Sequence, residues 1–436
     1  MIRKIANLKS LATIGLLLIP SLASAQDGDL NGANTAWILT STALVLFMTL
    51  PGLALFYGGL VRTKNVLSVL MQCFSIAVAI SLLWLFVGYS IAFGPSESPY
   101  WGGLSKAMFS GVVVDSMSGD IPETVFAAFQ MTFAIITPAL IVGAFVERIK
   151  FSSMLLFSIL WALFVYFPIA NWVWGGGWLY SMGLIDFAGG TVVHVTAGVA
   201  ALVTALVLGQ REGFLTAPMM PHNMTMSFIG AAMLWVGWFG FNAGSALAAD
   251  GSAGMALLVT HLSAATGAAS WMVIEWLKHG KPSALGAITG MVAGLATITP
   301  ASGSVGPAGA ILVGLSGGIV CYYATSYLKQ KLRIDDSLDV FPVHGVGGMV
   351  GTFLAGILVS ANLGIFSGNG YADGMAMGSQ IIVQLTGILA TGIYTAIVTY
   401  GLLKLVGALT SGIRVDADQE QIGLDITDHD EKGYSM

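Results

Sequence analysis

Two histidines set in apolar surroundings are the residues of this 436-residue chain best suited to chemistry. Residues 186–198 read DFAGGTVVHVTAG and residues 336–348 read DSLDVFPVHGVGG. Both fit D-x7-H-x3-G, giving Asp186, His194 and Gly198, then Asp336, His344 and Gly348. A neutral imidazole has one donor and one acceptor nitrogen, so two that meet can share or relay a proton. They suit a small polar solute that exchanges hydrogen bonds. A hydrated ion would require rings of carboxylates or carbonyls, and the apolar stretches hold few acids away from their ends. Asp186 and Glu275 read as caps or anchors, and the lone His261 as a group hydrogen-bonded to a neighbouring helix.

A second constellation is aromatic. Phe129 and Phe133 are four residues apart and share a helix face; Trp238, Phe241 and Ser245 share another; Trp174 precedes a Gly-Gly-Gly run that lets it lean over a cavity. Ring faces attract a desolvated cation, tryptophan most strongly, and a hydroxyl adds an acceptor. The same spacing also serves a packed core or an interfacial belt.

These residues must be positioned by membrane helices. Charged residues make up only 9% of the chain and apolar ones 56%, with 56 glycines that let helices approach closely in lipid. Eleven apolar runs are long enough to cross a bilayer, near 35–60, 66–93, 123–145, 151–170, 188–208, 223–243, 253–277, 283–300, 306–328, 338–361 and 378–405. Basic residues (Arg62, Lys64, Arg148, Lys150, Arg211, Lys278, Lys281, Lys329, Lys331, Arg333) follow odd-numbered spans, and only Lys106 follows an even one. The positive-inside rule then puts the N-terminus outside and the tail, with Arg414 and Lys432, in the cytoplasm. On that topology the two Asp/His stretches run in opposite directions. So do IITPA at 135–139 and TITPA at 297–301, again five spans apart.

The expected fold is therefore an all-α polytopic membrane protein. Spans 1–5 and 6–10 form an inverted repeat with its working site near the midplane, and span 11 straps the outside. Eight residues of helix rise about 12 Å, which brings each histidine from its aspartate at the surface to the middle of a core about 30 Å thick. His194 and His344 are expected to meet there. Arg3, Lys4 and Lys9, an apolar core and ASA before Gln26 make residues 1–25 a cleavable signal peptide; 26–406 is the membrane domain and 407–436 the cytoplasmic tail. Cys73 and Cys321 lie in apolar segments and suggest neither disulfide nor metal site. There is no nucleophile, phosphate loop or metal cluster, so no enzyme and no cofactor is expected, and no basic surface for nucleic acid.

PGLALFYGGLVRTKN, IVGAFVERIKF, NWVWGGGWL, DFAGGTVVH, GWFGFNAGSA and DVFPVHGVGG together resemble the ammonium transporter family of bacteria, yeasts and plants, distant relatives of the Rhesus proteins. The similarity runs from about residue 34 through the tail. It implies eleven helices, a homotrimer in the bacterial inner membrane with a pore through each subunit, and conduction of ammonium or methylammonium. It implies an outer recruitment site at Phe129, Phe133, Trp174 and Ser245, supported by Asp186 without direct contact, and a phenyl gate at Phe133 and Phe241. Trp238 would line the pore beside the twin histidines His194 and His344. Rhesus relatives typically lack the recruitment tryptophan, so Trp174 points to a high-affinity transporter. The tail IGLDITDHDEKGYSM is similar to the family's C-terminus, which helps dock a trimeric PII signal protein; Asp430 and Gly433 depart from its usual glycine and alanine.

Ammonium and potassium are alike in size, but only ammonium can surrender a proton. An apolar constriction that forces deprotonation therefore rejects potassium. The rival readings are a neutral gas or water channel with no cation site, an ammonium sensor with little flux, and an ion-coupled symporter. Sensors usually append a signalling domain, whereas about 30 residues follow span 11; a symporter would want broken helices and buried acids.

Overall fold

The computed structural model describes residues 29–360, 362, 368 and 370–434, so the expected signal peptide lies outside the described residues. Eleven described helices are long and apolar enough to cross a membrane. They are α1 (Gly32–Leu60), α2 (Thr63–Phe93), α3 (Glu123–Phe145), α4 (Phe151–Ser181), α5 (Gly190–Leu208), α6 (Met224–Gly244), α7 (Gly251–His279), α8 (Ala284–Ala301), α9 (Pro307–Gln330), α10 (Phe341–Leu358) and α11 (Met377–Leu409). In lipid each backbone polar group must be satisfied within the segment, which leaves helices as the form these apolar runs can take. The ends are closed by side chains: Asn31 accepts from Ala33 and Asn34, Asn223 from Met226, Asp250 from Ser252 and Ala253, Ser283 from Gly286. Glu275 accepts from the Ser283 backbone N–H at 2.6 Å, the anchoring role its sequence position suggests. The largest boundary difference is at α4, which runs beyond residue 170 to Val173, turns at Trp174–Gly177 and closes in a short helix, Trp178–Ser181.

Charges gather at one side of the bundle. Buried Glu147, after α3, pairs with Arg62 after α1 and Arg211 after α5; Arg211 also pairs with Asp335 after α9. Burial alone would push the Glu147 carboxyl up, but Arg211 and Arg62 outweigh it and hold it below its usual value. The buried Arg148 guanidinium donates to Gly209 O, Ser337 Oγ and Asp335 O. The tail joins the same side: Arg414 donates to Leu208 O and Glu420, and Lys64 to Glu420 O. Two short tail helices, α12 (Ala417–Ile422) and α13 (Leu424–His429), are tied down where Asp425 accepts from Ser68 N and Asp428 from Phe151 N. Of the departures noted in the tail, Gly433 has a local reason, since any Cβ there would press into Val66, whereas Asp430 occupies a left-handed position at φ +54° that glycine would suit better. On the opposite side Lys106 pairs with Glu123, and a two-stranded hairpin, β1 (Met117–Ser118) and β2 (Ile121–Pro122), precedes α3.

α5 leads toward the tail side and α10 away from it, so the two cross antiparallel, as the inverted Asp/His stretches require. α11 lies along α4, α5 and α10. It also fastens the segment before α5: Gln384 accepts from Ile185 N at 2.9 Å and donates to Ile185 O, while Gln380 donates to Gly183 O. His261 differs from expectation. Its ring is exposed on α7 and lies tilted against Trp235 at 5.1 Å and Phe239 at 6.1 Å, with aromatic rings where a hydrogen bond to a neighbouring helix was expected.

Gly198 and Gly348, the last members of the repeated pattern, set the crossing. A Cβ on Gly198 would run into the Gly345 backbone, and one on Gly348 would sit 2.7 Å from Gly190 O and 2.8 Å from His194 Cβ. Gly198→Ala is expected to destabilise by about 1–3 kcal/mol through overpacking, read as a lowered thermal midpoint in detergent.

Candidate functional site

Both histidines sit where their helices are widened. Gly190–Val195 and Phe341–Val346 are π-helical, a form often found at functional positions. Gly189, at φ +115°, opens α5, and the Asp186 carboxylate caps it by accepting from the backbone N–H groups of Gly189, Gly190, Thr191 and Val192 and from the Thr191 hydroxyl. Asp336 stands in the matching place before α10 and accepts from Phe341 N at 2.7 Å, but its Oδ1 is buried with no donor.

The two imidazoles meet. His194 Nδ1 and His344 Nδ1 are 3.2 Å apart, with ring centroids at 5.2 Å and planes 22° from parallel. One Nδ1 donates and the other accepts. In neutral rings the two Nε2 atoms are then unlike, one carrying a lone pair and the other a proton. His194 Nε2 is buried without a protein partner. Trp238 stacks on His194 at 5.4 Å and is fixed by its indole N–H, which donates to Thr299 Oγ1 at 2.9 Å. Thr299, inside the second TITPA copy, is a positioning residue the sequence reading missed.

A file of rings continues from the histidines. Phe241 lies 6.1 Å from His194 and 4.3 Å from Phe133; Phe133 is edge-on to Trp174 at 5.8 Å and to Phe129 at 5.0 Å. The Trp174 indole donates to Asp186 O at 2.9 Å, so the α5 cap also aims this ring. The adjoining glycines make that turn possible, with Gly176 at φ +84°.

Three cavities lie along this file. The first, at the Trp174 end, is walled by Phe126, Gln130, Phe133, Trp174, Phe187 and Ser245 among others. A narrow second one is lined by Leu234, Trp238, Phe241, Val292, His194 and His344. The third, toward the tail side, takes in His344, Phe56, Tyr57, Lys329, Ser337 and Asp339. Phe133 belongs to the first cavity and Phe241 to the second, so this ring pair divides them, while His344 is common to the second and third. Ser245 donates its own proton to Phe241 O at 2.8 Å, leaving oxygen lone pairs for the first cavity. Phe129 is fully buried behind Phe133, away from the cavity wall. Phe126 and Gln130 went unread although they fall on one α3 face with Phe133, at the same helical spacing used to pick out Phe129.

The sequence profile of the Ammonium Transporter Family matches residues 36–434. The chain belongs to the ammonium transporter family. An ammonium transporter of Aquifex aeolicus is 44% identical across 98% of this chain and 100% of that protein, and one of Bacillus subtilis 46% identical across 90% and 96%. Among solved structures, Saccharomyces cerevisiae Mep2 superposes with a TM-score of 0.81 at 38% identity, covering 89% of this chain and 91% of that one. A structure described as a sensor Amt protein gives 0.84 at 27% identity, covering 91% and 98%. These likenesses agree with the eleven-helix architecture of this family member.

In this ammonium transporter family chain the Asp336 cap is held in a buried, acidic setting. Burial, reinforced by the Asp339 charge, pushes the Asp336 carboxyl from its ordinary value of 3.8 up to about 7. A carboxyl protonated more readily when folded contributes stability that is complete below about pH 4 and is lost as pH rises through about 7. The thermal midpoint of the wild type in detergent should therefore fall between about pH 5 and about pH 8 relative to Asp336→Asn, which keeps an acceptor and removes the titration.

Proposed function

We propose that this chain carries ammonium across the bacterial inner membrane by taking up the cation, stripping its proton and conducting ammonia along the histidines. The carrying observation is the interrupted path: a cavity walled by aromatic rings, a closely packed, tilted pair of phenyl rings, then a narrow apolar cavity floored by two imidazoles in contact. The cation is held by the ring faces of Phe133 and Trp174, with Phe129 backing Phe133, and by the Ser245 hydroxyl. Asp186 supplies negative charge without contact, its oxygens being occupied by the α5 cap. At the Phe133 and Phe241 gate no group solvates a full charge, so a cation passes only by giving up its proton. Ammonia then exchanges hydrogen bonds with the Nε2 atoms of His194 and His344 beside Trp238 and leaves through the third cavity. The proton released at the gate crosses separately along the hydrogen-bonded His194–His344 imidazole pair, so one charge moves with each ammonia and transport is electrogenic on this reading. No cofactor and no enzymatic step is needed.

The proposal includes the orientation set by the basic connections, with the N-terminus periplasmic and the tail cytoplasmic. It also includes a homotrimer: an exposed imidazole midway along α7, beside a Trp235 indole N–H that is buried without a partner, favours covering that face with a second copy over leaving it in lipid. The tail on the cytoplasmic face is the proposed landing place for a PII signal protein. A sensor with little flux is the second reading, favoured by the likeness to the sensor structure.

Currents from proteoliposomes on a solid-supported membrane test this. Ammonium is expected to evoke a current that potassium does not, and His194→Ala combined with His344→Ala to abolish it or its selectivity. Trp174→Leu should raise the half-saturating ammonium concentration about fivefold to tenfold, from the loss of a cation–π contact. Ammonia entry without current would make the path a neutral gas channel, and binding without either would favour the sensor.

A further inference from the structure

The first cavity needs acceptors as well as rings, because ammonium has four N–H donors. Ser245 offers one. Asp186 offers none, since both carboxylate oxygens already receive donors from the α5 turn and the Thr191 hydroxyl. The remaining polar wall residue of α3 is Gln130. It lies four residues after Phe126 and three before Phe133, so one face of α3 presents a ring, an amide and a ring. Gln130 Oε1 is buried with no protein donor, so no hydrogen bond to that oxygen fixes the amide in its present orientation.

We propose that Gln130 is a second acceptor for the recruited cation, its carbonyl turning to the cavity to take one N–H while Ser245 takes another. The inference rests on the recruitment reading above. The terminal amide torsion of glutamine is soft, so a turn that exchanges the buried oxygen with the amide nitrogen needs no rearrangement of α3. Two acceptors fixed among ring faces also discriminate. Ammonium can present an N–H in every direction, whereas methylammonium must give one direction to its methyl group, so Gln130 favours ammonium over methylammonium.

The test is the concentration dependence of transport current in proteoliposomes of the full chain, with ammonium and methylammonium as probes. Gln130→Met, of similar volume, should raise half-saturation for ammonium about fivefold to tenfold, and for methylammonium less, with the maximum current retained. Gln130→Glu keeps the acceptor and should leave ammonium half-saturation at or below that of the wild type. Unchanged half-saturation in Gln130→Met, equal shifts for both probes, or a loss confined to maximum current overturns the proposal. Should Gln130→Met fail to insert, a raised ammonium half-saturation in Gln130→Glu overturns it instead. Trp174→Leu separates the two failures. If it shifts half-saturation and Gln130→Met does not, Gln130 alone is wrong; if neither shifts, the recruitment reading falls.

Discussion

Two imidazoles held 3.2 Å apart in the middle of a membrane-spanning bundle require two helices to cross with almost nothing between them. That contact governs the architecture. α5 and α10 approach until Gly198 lies on the Gly345 backbone and Gly348 on that of Gly190, a distance that any larger side chain would prevent. Each helix is also widened to a π turn at its histidine. The long straps, the buried arginines and the capped helix starts all serve to keep this crossing in register.

Charge is distributed so that the crossing stays neutral. Ion pairs among Arg62, Glu147, Arg211 and Asp335 are confined to one side, where they join the ends of four helices and the tail. The start of α5 points a partial positive charge at the aromatic cavity, and the Asp186 carboxylate cancels it. A cation in that cavity thus meets no opposing helix end. The cavity on the tail side is built differently, with a Lys329–Asp339 ion pair in its wall and no cage of tryptophan and phenylalanine.

Much of this was legible in the residues because three independent signals overlapped. Hydropathy gave the spans, basic residues gave their alternation, and the repeated Asp/His pattern gave a crossing point that neither signal alone would locate. What escaped depended on the rotation of a helix about its own axis. Phe129 and Phe133 share a face by spacing, yet only the second reaches the cavity; Gln130 reaches it from a position that drew no reading. Thr299 was unreadable for another reason, since its partner Trp238 is 61 residues away. His261 was assigned a hydrogen bond on general grounds, but the rings of Trp235 and Phe239 lie within stacking distance.

All three cavities, the ring pair and both histidines belong to a single chain. Whatever assembly the chain enters, each copy holds all three cavities and both histidines of its own. On the proposed route, a defect confined to His194 or His344 would silence only the copy that bears it. In a cell expressing intact and defective copies together, uptake on that route would decline only in proportion to the share of defective copies.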